Sequence, residues 1–415
     1  MRLHLELAGM YVRQAQNRGA AAGPVFYVDN HLRPYTGKQV LRRGWRMQDK
    51  QVRPGTSDYY VHDEDGRPVM RFAAPGHGSL TEWLSPIAQA LRLALGPEET
   101  ILLAFDRAGA FPEQMAQLRE ERFEFVTYER RPYPQLARAA FAEKVTLDGE
   151  TLFFCDTRKN LGKARGRLRR VAVLMPDGYQ LNLIANSKRP AVELLEIMSG
   201  RWRQENGFKH GVERWGINQL DGRQVQAYPP DTIIPNPARR RLDRAIRLAR
   251  VREGDARVAL ARLATTDARR VALHEELDAA VAEQAQLEGL RPSTPPRAAL
   301  KDTELAGTLV HHTVEYKLAL DTIRIACANA ESELAVMLAP KLPRPREAKK
   351  TLANLFAAPG DIRVGKHIVD VCLSPAGTRP EQDAFTAMLK AVNGLALSMP
   401  GDQQGRSIRF RTARN

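Results

Sequence analysis

Apolar and polar positions along the chain switch between the two-residue period of strands and the 3.6-residue period of helices. Pro24-Val25-Phe26-Tyr27-Val28-Asp29 is an apolar run of strand length that ends in a carboxylate. Two more strand candidates follow. One lies around Gln39 to Arg46; the other is Asp58 to His62, a turn at Asp65-Gly66, then Pro68 to Ala73, and the three read as an antiparallel meander. A helix is predicted from about Leu80 to Leu95, where Ser79 with Glu82 three residues later is a capping-box signature. Ile101 to Asp106 repeats the apolar run that ends in an acid. Pro112 then opens a helix to about Glu121 at the first position that proline favours, and Phe123 to Tyr128 is another strand.

Three strands, helix, strand, helix, strand is the connectivity of an RNase H-like α/β core, a mixed sheet flanked by helices. From about Ala142 to Lys188 the pattern turns β-rich, with a strand at Phe153-Phe154-Cys155 and a hairpin around Pro176-Asp177-Gly178. This segment reads as an insertion in the core. Pro190 starts a helix that continues through Met198 into Arg201-Trp202-Arg203-Gln204-Glu205. Four prolines between Tyr228 and Pro237 mark a linker. Beyond it, two long helices, about Ala238 to Leu287 and Thr303 to Met337, suggest an antiparallel hairpin. Residues 348 to 397 read as helix, strand pair, helix, and Arg406 to Arg414 as a basic, frayed end. The expected division is an N-terminal helix (1–23), a core (24–141 and 189–227), a β-rich insertion (142–188), a linker with a mainly α-helical hairpin (228–340) and a small α+β region (341–415).

Composition narrows the function classes. The 415 residues carry 63 Lys plus Arg against 48 acids, a net charge of +15, which favours a polyanionic partner through counterion release. Cys155, Cys327 and Cys372 are far apart, which argues against a disulfide framework or a cysteine zinc site and fits a reducing cytosol. The N-terminus lacks the apolar centre of a signal peptide, and no stretch has the length of an apolar membrane span. A soluble, cytoplasmic protein without a membrane partner is expected.

The chemistry centres on three acids. Asp29 and Asp106 each follow a buried strand, and Glu205 lies on a later helix. Each alone reads as easily as a turn former or helix cap. Converging at one sheet edge, the three could hold two divalent cations about 3.5–4 Å apart for in-line phosphoryl displacement. Mg²⁺, with Mn²⁺ as substitute, suits such an all-oxygen set.

Tyr27 to Gly37, with Asp29, His31, Tyr35 and Gly37, resembles the first-Asp motif of certain DDE-type insertion-sequence transposases. Leu103 to Gly109 resembles their second-Asp strand, and Arg201 to Lys209 the helix that bears the catalytic Glu. The resemblance covers about residues 24 to 220, and the β-rich insertion matches one subgroup. In that subgroup's Tyr–Arg–Glu–Lys signature, Arg201 and Glu205 fit the spacing; Met198 takes the Tyr position and Val212 the Lys position, with Lys209 one turn earlier. The resemblance implies a polynucleotidyl transferase with Asp29, Asp106 and Glu205 as catalytic and metal-binding residues, and Arg201 and Lys209 on phosphates. It implies double-stranded DNA, transposon ends and target, as substrate, and a homodimer on DNA. An inactive or repurposed DNA-binding descendant and an RNase H-like nuclease are the rival readings. Only 28 residues precede Asp29, too few for the helix-turn-helix domain such enzymes carry. Truncation, end recognition by the C-terminal half, or a separate chain would each account for that.

Lys163, Arg165, Arg167 and Arg169 alternate along a predicted strand and would form a basic ladder beside the cleft, suited to phosphates; a solvated hairpin face explains them equally well. Arg239 to Arg252 crowd one helix, either as a DNA surface or as its solvated face. His31 reads as a structural histidine or a phosphate contact, and His311-His312 is placed on a helix with no metal role.

Overall fold

The computed structural model describes residues 5–6, 8–10, 12–13, 25–46, 49–74, 78–97, 99–147, 149–162, 165–201, 209, 211–264, 266–399 and 401–413. Most of the expected N-terminal helix, Lys163 and Glu205 lie outside the described residues.

The strands Val25–Pro34 (β1), Arg43–Arg46 (β2), Gln51–His62 (β3) and Pro68–Ala74 (β4) form the meander. The helix Leu80–Leu95 (α1), with its capping box on Ser79 and Glu82, leads to Leu102–Phe105 (β5). Pro112–Glu120 (α2) and Glu124–Tyr128 (β6) follow. Next come Glu143–Leu147 (β7), Glu150–Asn160 (β8), Arg167–Leu174 (β9) and Gln180–Ala185 (β10), then the helix Ala191–Gly200 (α3).

These strands make one mixed α/β sheet. Its order is β2-β3-β1-β5-β6-β10-β9-β8-β7, with β4 on β3. β3 runs antiparallel to β1 and β4 antiparallel to β3, whereas β5 and β6 run parallel to β1. The four strands within 142–188 extend this sheet, because β10 pairs antiparallel with β6. Strand alternation divides the core into two layers. Phe26, Val28, Leu103, Phe105 and Phe125 pack beneath α1 and α2. Val25, Tyr27, Leu102, Ala104 and Val126 pack on the opposite face, beneath α3.

β1 does not stop at Asp29. Its parallel ladder with β5 ends at Val28 opposite Phe105, but its antiparallel ladder with β3 continues to Pro34 opposite Gly55. The polar residues beyond Asp29 are tolerated in a strand because Arg33 finds buried partners in Thr56 and Asp58.

The C-terminal half departs further from expectation. The segment expected as one helix over 238–287 is two helices, Pro237–Arg262 (α4) and Arg269–Leu290 (α5), and these two pack on each other. The break begins at Leu263, which takes an extended conformation. The second expected helix begins only at Glu315, as Glu315–Leu338 (α6), because Gly307 at φ +71° turns the chain first. His311 and His312 therefore sit on the strand Val310–His312 (β14), paired with Val225–Ala227 (β11), while Ile233–Pro235 (β12) pairs with Arg297–Ala299 (β13). The last unit contains Ala348–Phe356 (α7), Gly360–Val364, Ile368–Leu373, Arg379–Asn393 (α8) and Ser407–Thr412. The expected frayed end is this last strand, with Ile408 and Phe410 turned towards the apolar side of its sheet.

Candidate active site

Asp29 and Asp106 are the first residues past the end of the β1–β5 ladder, and neighbouring strands stand about 4.8 Å apart. Both are in phase with Tyr27 and Ala104, so both project to the α3 face. The C-terminal end of α3 lies over the same place. Gly200 is pressed so closely on the Tyr27 hydroxyl that a Cβ would collide with it, and the Tyr128 hydroxyl donates to the Met198 carbonyl at 3.4 Å.

Arg201, the next residue, joins the two acids. Its Nη2 is 3.3 Å from Asp29 Oδ2 and its Nη1 is 3.7 Å from Asp106 Oδ1. The guanidinium is 15% exposed, against 22% for Asp29 and 40% for Asp106. Two carboxylates so placed repel one another unless a cation stands between them, and here Arg201 supplies the positive charge. Asp29 Oδ1 also accepts from the Asn30 amide at 2.8 Å. Asp106 precedes a short 3₁₀ turn, but its side chain makes no capping hydrogen bond, so capping does not account for it. Glu205 follows Arg201 by four residues and lies outside the described residues. Among the described residues no group of three or more His, Cys, Asp or Glu is arranged to hold a metal ion. The two aspartates nevertheless fit part of a hard-cation donor set: partly exposed, all-oxygen, and already sharing one positive charge.

The basic ladder is placed differently from the expectation. Register runs Arg169↔Ala185, Ala185↔Val126 and Val126↔Ala104, so β9 points the same way as β5, three strands away. Arg165 and Arg167, at and before the start of β9, lie towards the sheet edge opposite Asp106. Arg165 pairs with Glu113 at 2.9 Å, and Arg169 with Asp156 at 2.6 Å. Arg169 also donates to the Ser187 and Arg189 carbonyls, and so holds loops together. Lys209 is an exposed helical residue.

The sequence offers Tyr179, with Phe153 and Phe154, as a ring for a flipped base, but not the surface around it beside Asp106. Arg107, Tyr128, Arg131, Tyr133, Tyr179 and Asn182 line a groove of about 230 Å³ at the end of β6 and the start of β10. Arg131 donates to the Tyr179 hydroxyl at 2.6 Å and lies over the Tyr133 and Tyr179 rings. Hydrogen bonding from Tyr133, then from Arg131, holds the Tyr179 hydroxyl below its usual pKa. The signal was Tyr-Glu-Arg-Arg-Pro-Tyr directly after a strand, an arginine and tyrosine cluster at the same edge as the acid.

His31 is buried, with Nε2 2.7 Å from Asn218 Oδ1, and burial lowers its pKa. It borders a network of buried charges that seats α6 on the sheet. Arg71 contacts Asp58 at 2.7 Å and Asp321 at 2.5 Å, while Lys317 contacts Asp321 at 2.7 Å and Asp221 at 3.0 Å. A cavity of about 480 Å³ opens beside this network, lined by Tyr60, His62, Trp215 and Arg324, and the two aspartates are not part of its wall. Many α4 arginines pair with acids: Arg239 with Asp243, Arg250 with Glu288, Arg252 with Glu283.

No helix among the described residues is long and apolar enough to cross a membrane. No family model and no curated protein matches the chain. Among solved structures, the cryo-EM structure of the piggyBac transposase synaptic complex with hairpin DNA aligns over 48% of this chain and 44% of that one, so the alignment spans less than half of either. Identity is 12% and the TM-score 0.33, a likeness too slight to carry an argument about fold or chemistry.

Proposed function

We propose that the chain is a DNA transposase, a polynucleotidyl transferase that hydrolyses transposon ends and passes the freed 3′-hydroxyl to target DNA. The observation that carries this reading is the pairing of Asp29 and Asp106 through Arg201 on the face covered by the end of α3. The strand order β4-β3-β1-β5-β6, three antiparallel strands followed by two parallel ones, supports an RNase H-like core. The motif resemblance of residues 27–37, 103–109 and 201–209 to DDE-type insertion-sequence transposases supports the triad.

In this reading Asp29, Asp106 and Glu205 hold Mg²⁺, or Mn²⁺ in its place. Bound there, the metal supplies a more acidic water or 3′-hydroxyl and neutralises charge on the phosphodiester. The protein's own groups do the positioning. The β1–β5 ladder fixes the two carboxylates side by side at no further ordering cost. Arg201 stabilises the pair while the site is empty of substrate and then has a phosphate oxygen to turn to. Arg107, 3.8 Å from Asp106, and Arg131, in the adjoining groove, suit the DNA backbone, while Tyr133 and Tyr179 offer ring faces to bases. Lys209, Lys163, Arg165, Arg167 and Arg169 would take flanking duplex, with the last three further from the acids than the sequence reading placed them.

A second reading, a descendant that binds DNA without cutting it, is favoured by the same Arg201 bridge, because a guanidinium already satisfies both carboxylates. The test is divalent-dependent nicking of a plasmid carrying the gene's flanking DNA. Wild type is expected to nick; Asp106→Asn and Glu205→Gln should bind duplex and not nick. Nicking by either variant at the wild-type rate would end the assignment. Joining of a pre-cleaved 3′-hydroxyl end to target separates a transferase from a nuclease.

A further inference from the structure

We propose that the chain self-associates through the outer edge of Gly360–Val364 (β15), pairing antiparallel with the same strand of a second copy across a two-fold axis centred on Ile362.

In the C-terminal unit, β15 pairs antiparallel with Ile368–Leu373 (β16), which pairs parallel with Ser407–Thr412 (β17). The two edges of this sheet are treated differently. The β17 edge is blocked, since the Ile408 amide donates to the Leu397 carbonyl at 2.7 Å and the Met399 amide to the Arg406 carbonyl at 2.9 Å. Among the described residues nothing pairs with the outer edge of β15.

The backbone of β15 sets which groups face outward. The Gly365 amide donates to the Ile368 carbonyl, and the Ser374 amide to the Pro359 carbonyl. Antiparallel ladders alternate hydrogen-bonded and non-hydrogen-bonded pairs, so residues 359, 361, 363 and 365 turn their polar groups to β16. Gly360, Ile362 and Val364 therefore direct theirs to the open edge, which is a ready template for another strand. The side chains on one face add to this. Ile362 and Val364 are 69% and 64% exposed. They continue the apolar layer of Val369, Val371 and Phe410 past the part that α8 covers.

The occupant follows from charge. The strand reads Gly-Asp-Ile-Arg-Val. Antiparallel self-pairing centred on Ile362 sets Ile362 opposite its own copy, Asp361 opposite Arg363 twice, and Gly360 opposite Val364 twice. Both charge pairs are then opposite in sign, at the non-hydrogen-bonded sites where side chains come closest. Hydrogen-bonded pairing falls at residues 360, 362 and 364, the positions whose groups face outward. A two-fold contact needs a self-complementary surface, and this strand has one. A strand of this length buries little surface, so the dimer should be weak and concentration-dependent.

Sedimentation velocity of the full chain without DNA tests this from about 1 to 200 µM. Wild type should shift from monomer to dimer. Arg363→Asp and Asp361→Arg, both at exposed positions, should each weaken association about tenfold or more, because like charges then meet twice. An equimolar mixture of the two variants restores both charge pairs in a heterodimer and should dimerise at least as well as wild type. That rescue also shows both variants to be folded. A wild type that stays monomeric, a single variant that associates like wild type, or a mixture that stays monomeric would overturn the proposal.

Discussion

Asp29 and Asp106 stand next to each other because Val28 and Phe105 are the last pair of a parallel ladder. Each chain continues from that pair by one residue, and alternation sends both carboxylates to the face where α3 ends. The arrangement needs no long-range search by the side chains: two apolar strands that pair in register bring their terminal acids together. Arg201, first after α3, answers them with a positive charge that reaches both.

Removing that charge should expose the competition. Arg201 has to release the carboxylates before a divalent cation can sit between them. Asp29 and Asp106 are partly exposed, so the competition is modest. Arg201→Ala should bind Mn²⁺ about threefold to tenfold more tightly while nicking DNA more slowly. Calorimetric titration of Mn²⁺ reads the first effect; weaker binding in the variant would contradict it.

The buried charges under α6 are a stability device. Arg71 alone joins Asp58 of β3 to Asp321 of α6, and all three are almost fully buried. Arg71→Met removes the cation the two carboxylates share, leaving Asp58 with Arg33 at 3.5 Å and Asp321 with Lys317 and Arg324, and should cost about 3 kcal/mol in urea unfolding. A destabilisation below about 1 kcal/mol for Arg71→Met would mean that the network is solvated.

His62 gives the fold an acid limit. It is fully buried, and that burial alone holds its pKa down to about 3 against 6.5 for an exposed imidazole. A depressed histidine pKa means that the native state resists the proton that the unfolded chain accepts. The His62 contribution is thus whole above about pH 6.5 and is lost as pH falls towards 3, at up to about 1.4 kcal/mol per pH unit. His62→Gln should flatten unfolding free energy over that range, as read from denaturation curves at stepped pH. An unchanged slope would contradict the assignment.

DNA contacts should divide between the two sheet edges. Arg131→Ala, beside Asp106, should lower duplex affinity and reduce the salt slope by about one. Tyr179→Ala should weaken single-strand binding by about 1–3 kcal/mol if its ring takes a base. Arg167→Ala, near the opposite edge, should leave nicking of a bound substrate unchanged. Filter binding across a salt series measures the slopes; equal losses from Arg131→Ala and Arg167→Ala would remove the distinction.

Much of the sheet was legible because its signals are local. The apolar runs at 25–28 and 102–105, the capping box at Ser79 and the proline at 112 each specify an element without outside help. The pairing of the two aspartates was legible too, since order and phase alone bring them together. The basic ladder was misplaced because its direction depends on how many antiparallel turns separate β9 from β5, which periodicity does not encode. The α4–α5 division was hidden because charged residues continue on both sides of the break, and only the extended backbone at Leu263 marks it. His311-His312 read as helical because two residues carry no period, whereas Gly307 and the pairing with Val225–Ala227 decide their strand.

Mn²⁺ binding followed by electron paramagnetic resonance is the most direct measurement of the central claim, since it needs no knowledge of a DNA sequence. Wild type should take up Mn²⁺ saturably, and an Asp29→Ala/Asp106→Ala double variant should lose that uptake while keeping its circular dichroism spectrum. Equal Mn²⁺ uptake by both proteins would show that these two carboxylates hold no cation beyond Arg201.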